Sequence, residues 1–210
     1  LLLTDLKYIL AVNPLAPSYA GAATAAVEVP AEHAAVIGDD GWATWGGGIV
    51  GIGHVGVGFA FDNEGPRHDV LVPPCALRTT LVRNREYLAF IADGGYQRHA
   101  LWHAEGLEWV RAHQVEAPLY WQRADDEPCG WRHHTLAGLA PLALDAPVTH
   151  LSYYEAFAFA QWADARLPTE FEWETVAPQL TWGARWEWTE SAYQAYPGFR
   201  PAPGAVGEYN

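Results

Sequence analysis

Two helix starts stand almost back to back in the last third of the chain. In "LSYYEAFAFAQWADA", Ser152 and Glu155 have the spacing of a capping box. There the hydroxyl and the carboxylate each satisfy one of the backbone N–H groups that open a helix. Ala156, Phe159, Ala160 and Ala163 then fall on one face of the predicted helix. In "LPTEFEWE", Thr169 and Glu172 repeat the spacing, so a second short helix starts at once. The rest of the chain leaves little room for long elements. Twenty glycines and fifteen prolines in 210 residues imply many turns and irregular loops. Half the residues are hydrophobic, among them 11 Trp and 10 Tyr, so a sizeable core built from aromatics is expected.

Upstream, Leu2, Leu3, Leu6, Ile9 and Leu10 have helical spacing, and "NPLAP" ends that helix because Pro14 and Pro17 cannot continue it. Residues 18–40, rich in Ala, read as a linker. "WATWGGGIVGIGHVGVGFAF" reads as short strands joined by tight turns, and "RHDVLVPPCAL" as a strand ending at Pro73. "RNREYLAFIADGG" reads as a helix with Tyr87, Leu88 and Ile91 on one side and glycines at its end. A few helices, many short strands and much loop make an α+β domain.

The formal charge of −13 argues against nucleic acid and anionic membranes as partners, since both would repel the chain. The longest apolar stretches are short and broken by Gly, so nothing is expected to span a membrane. Cys75 and Cys129 are the only cysteines. Two distant cysteines read as reduced, partly buried thiols and not as a disulfide framework.

Several groups could carry chemistry. His99 and His103 are four apart, which on a helix would put both imidazoles on one face as a metal pair needs. No third ligand stands at a motif distance, and two surface histidines are the favoured reading. His133 and His134 would point apart in an extended segment. "FDNEGPRHDV" reads as a charged loop held by internal ion pairs and Asx turns, with a substrate or partner contact as the alternative. Trp182, Trp186, Trp188, Tyr193, Tyr196 and Phe199 lie beside Glu187 and Arg200. Such a cluster suits a quaternary ammonium ligand, but core packing is the favoured reading.

The strings "HLSYYEAFAFAQWADARLPTEFEWE" and "WEWTES" resemble the formylglycine-generating-enzyme or sulfatase-modifying-factor domain. That resemblance implies a variant of the C-type lectin fold with little regular secondary structure. "GFAFDNEGPRHDV", "NREYLAFIADGGY", "APLYW" and "YPGFRPAPGAVGEYN" narrow it to the ergothioneine biosynthesis protein B family. The likeness runs from about Trp45 to Asn210. Ala184 and Arg185 depart from it, standing where "GN" or "GD" is usual.

The resemblance implies three regions. Residues 1–13 would end the last helix of a DinB-like iron-binding bundle, 14–40 would be a linker, and 41–210 a formylglycine-generating-enzyme-like domain continuing past its present end. The family's three iron-ligating histidines would lie upstream of Leu1, so no metal ligand and no bound cofactor are expected on this chain, which by itself would be inactive. The intact protein would be a cytoplasmic, non-haem Fe(II), O2-dependent sulfoxide synthase. Its substrates would be hercynine and either cysteine or γ-glutamylcysteine. Tyr209 is the expected substrate-binding hydroxyl. Val206 stands where some relatives carry a proton-donating Tyr, which leaves the acid and the other catalytic residues unassigned. Trp173 and Trp188, in the most family-like strings, are expected inside. The competing readings are a non-catalytic C-type-lectin-like ligand-binding module and a formylglycine-generating oxidase. For the oxidase, Cys75 and Cys129 stand at the wrong places.

Overall fold

Among the described residues no helix or strand is longer than ten residues. The computed structural model describes residues 2–19 and 41–201. The order is α1 (Leu2–Ala11), β1 (Trp42–Trp45), β2 (Gly48–Ile52), β3 (His68–Val72), β4 (Cys75–Arg78), α2 (Asn84–Ala92), α3 (Ala104–His113), β5 (Trp121–Arg123), β6 (Trp131–Thr135), β7 (Gly138–Pro141), α4 (Tyr153–Trp162) and α5 (Glu170–Val176). Short 3-10 turns cover Asp62–Glu64, His99–Leu101 and Ala177–Gln179. None of the helices is long and apolar enough to cross a membrane.

The described residues divide between two compact units, one within Leu1–Ile37 and Leu81–Arg166, the other within Gly38–Thr80 and Leu167–Asn210. In the first, β5, β6 and β7 form an antiparallel meander. Its core is mainly aromatic: Tyr87, Phe90, Tyr96, Trp102, Trp121, Trp131 and Phe159 are buried together. Tyr87 stacks on Phe159 at 5.5 Å, and Phe90 meets Phe159 edge-on at 5.9 Å. Such pairs add about 0.5–1.5 kcal/mol each beyond the area they bury.

Both capping boxes form. Ser152 Oγ accepts from the Glu155 N–H, and Glu155 Oε2 accepts from the Ser152 N–H at 2.8 Å. Thr169 and Glu172 do the same for α5. Glu155 also accepts a bond from the Tyr96 hydroxyl at 2.6 Å, which itself lies 3.2 Å from that of Tyr87. The cap carboxylate therefore satisfies the phenol pair inside the core. Burial raises it above the ordinary carboxylate value, against the opposing pull of the Tyr96 and Ser152 hydrogen bonds.

Two sequence expectations need correction here. On α4 the buried residues are Glu155, Ala158, Phe159 and Ala160, while Ala156 is half-buried and Ala163, at the C-terminal cap, is exposed. Nearly every position of α4 is apolar, so periodicity could not select the face; the partners of Glu155 help set it. On α2, Tyr87 and Phe90 are fully buried, with Leu88 and Ile91 at the edge of the core. Gly94, at φ +74°, and Gly95 do end α2. A Cβ on Gly95 would sit 2.2 Å from the Phe90 ring. β3 ends at Val72, so the strand does stop at Pro73, and after Pro73 and Pro74 a separate strand, β4, starts at Cys75.

In the second unit, β1 pairs with β4 and β2 with β3, both antiparallel. Ala43, Leu77 and Val176 form a small core flanked by half-buried Trp45, Cys75, Trp173 and Leu180. The aromatics after α5 are the largest departure from expectation. Trp186 is 95% exposed and Trp188 50%, and Trp182 and Tyr193 are exposed as well. That segment has neither helix nor strand, so no periodic face directs its rings inward. Trp188 is therefore not a core residue, and Trp173 is only half-buried. Cys75 and Cys129 are both half-buried.

Candidate functional site

The charged loop of the second unit is held mostly by backbone bonds. Arg67 donates to the Gly53 carbonyl at 2.8 Å, Glu64 Oε2 accepts from the Phe61 N–H, and Glu174 accepts from the Gly53 N–H at 2.7 Å. Asn63 Nδ2 donates to the Tyr193 hydroxyl at 2.9 Å. The loop is thereby tied to α5 and to the segment that follows it.

These bonds gather side chains that the sequence left in separate strings. The His68 ring lies 4.6 Å from that of Tyr196 and 5.9 Å from that of Phe171. Burial, then Glu170, Glu174 and Glu64, push the Tyr196 hydroxyl up to about 12. Tyr196 is thus a neutral phenol at physiological pH, able to donate or accept a hydrogen bond. Burial and Glu174 raise Glu170, and His68 opposes them. Further along, Trp173 Nε1 donates to Glu187 at 3.3 Å and meets Trp182 edge-on at 5.8 Å. The carboxyl end of Glu187 is shielded there, which raises it. Exposed aromatic faces beside carboxylates attract organic cations, at about 0.5–1 kcal/mol per ring.

His99 and His103, favoured as surface histidines over a metal pair, are exposed and not assembled on a helix. His99 sits in a 3-10 turn with the Arg111 guanidinium 2.7 Å from its Nε2. His103 precedes α3, its ring 3.8 Å from that of Phe157. His133 and His134 are neighbours on β6. Tyr209 and Val206 lie outside the described residues. His68 and Tyr196 each stood out in its own string, but no spacing joins them, and the acids spaced four apart in "TEFEWE" also fit an ordinary exposed helix face.

A family model described as the sulfatase-modifying factor enzyme 1-like domain matches residues 46–202. The chain belongs to that family, and its mixture of small sheets, short helices and irregular segments is the α+β fold of formylglycine-generating-enzyme-like proteins. Within it, the chain is similar to the hercynine oxygenases of Mycolicibacterium thermoresistibile, at 35% identity over 170 residues, and of Mycobacterium tuberculosis, at 38% over 160. These alignments cover 77% and 71% of this chain and 36% of each relative. It is also 31% identical over 147 residues to the formylglycine-generating enzyme of Thermomonospora curvata, covering 62% of this chain and 46% of that enzyme. The chain thus spans little more than a third of the length of these two hercynine oxygenases.

Proposed function

We propose that this chain is part of an iron(II)- and O2-dependent sulfoxide synthase that joins cysteine or γ-glutamylcysteine to hercynine in ergothioneine biosynthesis. The observation that carries this reading is the similarity to two hercynine oxygenases over more than two thirds of the chain. The half-buried Tyr196 ring beside Glu64, Glu170 and Glu174, and the exposed Trp182 ring against Trp173, which bonds Glu187, support it. Hercynine is trimethylated histidine and carries a fixed cation, which aromatic faces and carboxylates attract.

Fe(II), when bound, supplies the activation of O2. No three His, Cys, Asp or Glu side chains form a metal-holding group among the described residues. The described residues therefore do not fit an iron centre, and in this reading the ligands lie outside them. Helix α1 is read as the end of the helical bundle that carries those ligands. Its exposed Leu2, Leu3 and Ile9 are consistent with a face packed against further helices. Tyr209 is read as orienting hercynine, 41–210 as the formylglycine-generating-enzyme-like, C-type-lectin-related domain, and the cytoplasm as the location.

The test uses a polypeptide extended to the full length of the relatives. With Fe(II), O2, hercynine and each thiol in turn, one thiol should yield a C–S-linked sulfoxide. Conversion of a cysteine peptide to formylglycine, with no sulfoxide from either thiol, would replace this reading by the oxidase one. Tyr209→Phe in the same polypeptide should weaken hercynine binding by about 0.5–1.5 kcal/mol and leave turnover at saturation nearly unchanged.

A further inference from the structure

Residues 143 apart in sequence meet where α1 lies against the rest of the first unit. Lys7 Nζ is 2.8 Å from His150 Nε2 and 4.3 Å above the centre of the Tyr120 ring. The rings of Tyr120 and His150 meet at 4.7 Å, nearly perpendicular. Both residues hold positive φ, +76° at Tyr120 and +64° at His150. Non-glycine residues rarely adopt that region, and holding one there is strained. The surrounding structure holds two such backbones side by side, and both side chains converge on one ammonium group.

The chemistry of the contact fixes its protonation. An ammonium has three donors and no acceptor, so a Lys7–His150 hydrogen bond requires a lone pair on Nε2. A neutral imidazole has one; an imidazolium is donor-only, and its charge repels Lys7. The neighbouring groups add to that sensitivity. On α1 they are Lys7 itself, Tyr8 and the exposed carboxylate Asp5. The segment before β5 contributes Tyr120, β6 contributes His133 and His134, and the segment before α4 contributes His150. Burial lowers His133, with Lys7 and then His134 adding to the effect. Burial and Lys7 also lower His134, which is 1% exposed and has no hydrogen-bond partner for either ring nitrogen among the described residues. The Pro17 carbonyl, without completing a hydrogen bond, pulls His134 weakly the other way. Apolar packing does little to back up the contact, because no described residue of α1 is fully buried.

We propose that Lys7, Tyr120 and His150 form a pH-gated latch that holds α1 on the β5–β6–β7 unit, closed while His150 is neutral and opened when it takes up a proton. Opening consumes a proton, so the latched fraction rises with pH.

Hydrogen exchange of the amides in α1, corrected for the intrinsic pH dependence of exchange, reads the latch directly. It is measured at roughly pH 8 and pH 5.5, either side of the ordinary imidazole value of about 6.5. Protection should fall ~10-fold or more on acidification, the factor one coupled proton supplies per pH unit, while amides of α4 stay protected. His150→Asn keeps a side-chain carbonyl that cannot titrate, on a residue type that tolerates positive φ. It should hold α1 protection level across that range. Lys7→Met, at a half-exposed position, should leave α1 weakly protected at both pH values with α4 unchanged. His133→Gln should leave the acid response largely in place. Protection of α1 that ignores pH in the parent chain overturns the proposal. So does an acid response that survives in Lys7→Met, or one that survives in a folded His150→Asn.

Discussion

Glu155 shows how one residue serves two structural levels. Its spacing from Ser152 is a local signature, and the cap it predicts is formed. Its second carboxylate oxygen satisfies Tyr96, 59 positions away, inside an aromatic core. Glu155→Ala removes the cap carboxylate and leaves a buried hydroxyl short of an acceptor. The cap is worth ~1 kcal/mol and the orphaned hydroxyl about 1–3 kcal/mol, so a loss of about 2–4 kcal/mol is expected in urea unfolding. Tyr96→Phe should lose about 1–3 kcal/mol, because it orphans the buried Tyr87 hydroxyl but leaves the cap intact, with Glu155 keeping its Ser152 partners. Equal losses in the two variants would show that the cap contributes nothing measurable.

At the scale of elements, stop and start signals were legible and packing faces were not. Thr169 and Glu172 marked α5, a helix of seven residues. A helix so short depends on its cap, and Thr169→Ala should lower stability by about 1 kcal/mol, read as a shift in the thermal midpoint. The meander β5–β6–β7 and helix α3 went unread. β5 spans three residues and β7 four, too few to establish an alternation. Their identity as strands comes from pairing with β6. The histidines show the same limit. The spacing of His99 and His103 implied a shared helix face only if the segment were helical, and the chain instead breaks between a 3-10 turn and α3.

For the molecule as a whole, the burial of aromatics is unequal. Trp121 and Trp131 are buried, while Trp186 and Trp188 face solvent. Trp188→Ala should cost less than about 0.5 kcal/mol, the range of surface substitutions. Trp173→Ala should cost more, because Trp173 packs against Ala43, Leu77 and Val176 and donates to Glu187, but less than the ~3–5 kcal/mol of a fully buried Trp. Thermal melts of the two variants measure the ordering, and a larger loss in Trp188→Ala would return that residue to the core. The pH dependence of stability belongs to this scale too. His133 and His134 have folded values below the ordinary one of about 6.5. The unfolded chain therefore binds their protons first. The stability they contribute is fully present above about pH 6.5 and is lost as pH falls through the unfolded value toward the folded ones. Urea midpoints taken downward from neutral pH should fall, and less so in His134→Gln.

Local chemistry was enough to specify the caps of α4 and α5, the glycine stop of α2 and the strings that mark the family. Each depends on residues a few positions apart, whose geometry the backbone imposes directly. Tertiary structure alone decided which tryptophans are inside, which face of the uniformly apolar α4 is buried, and that Lys7 meets His150. Those outcomes depend on loop closure over tens to more than a hundred residues, and no spacing along the chain encodes where such a closure brings two side chains.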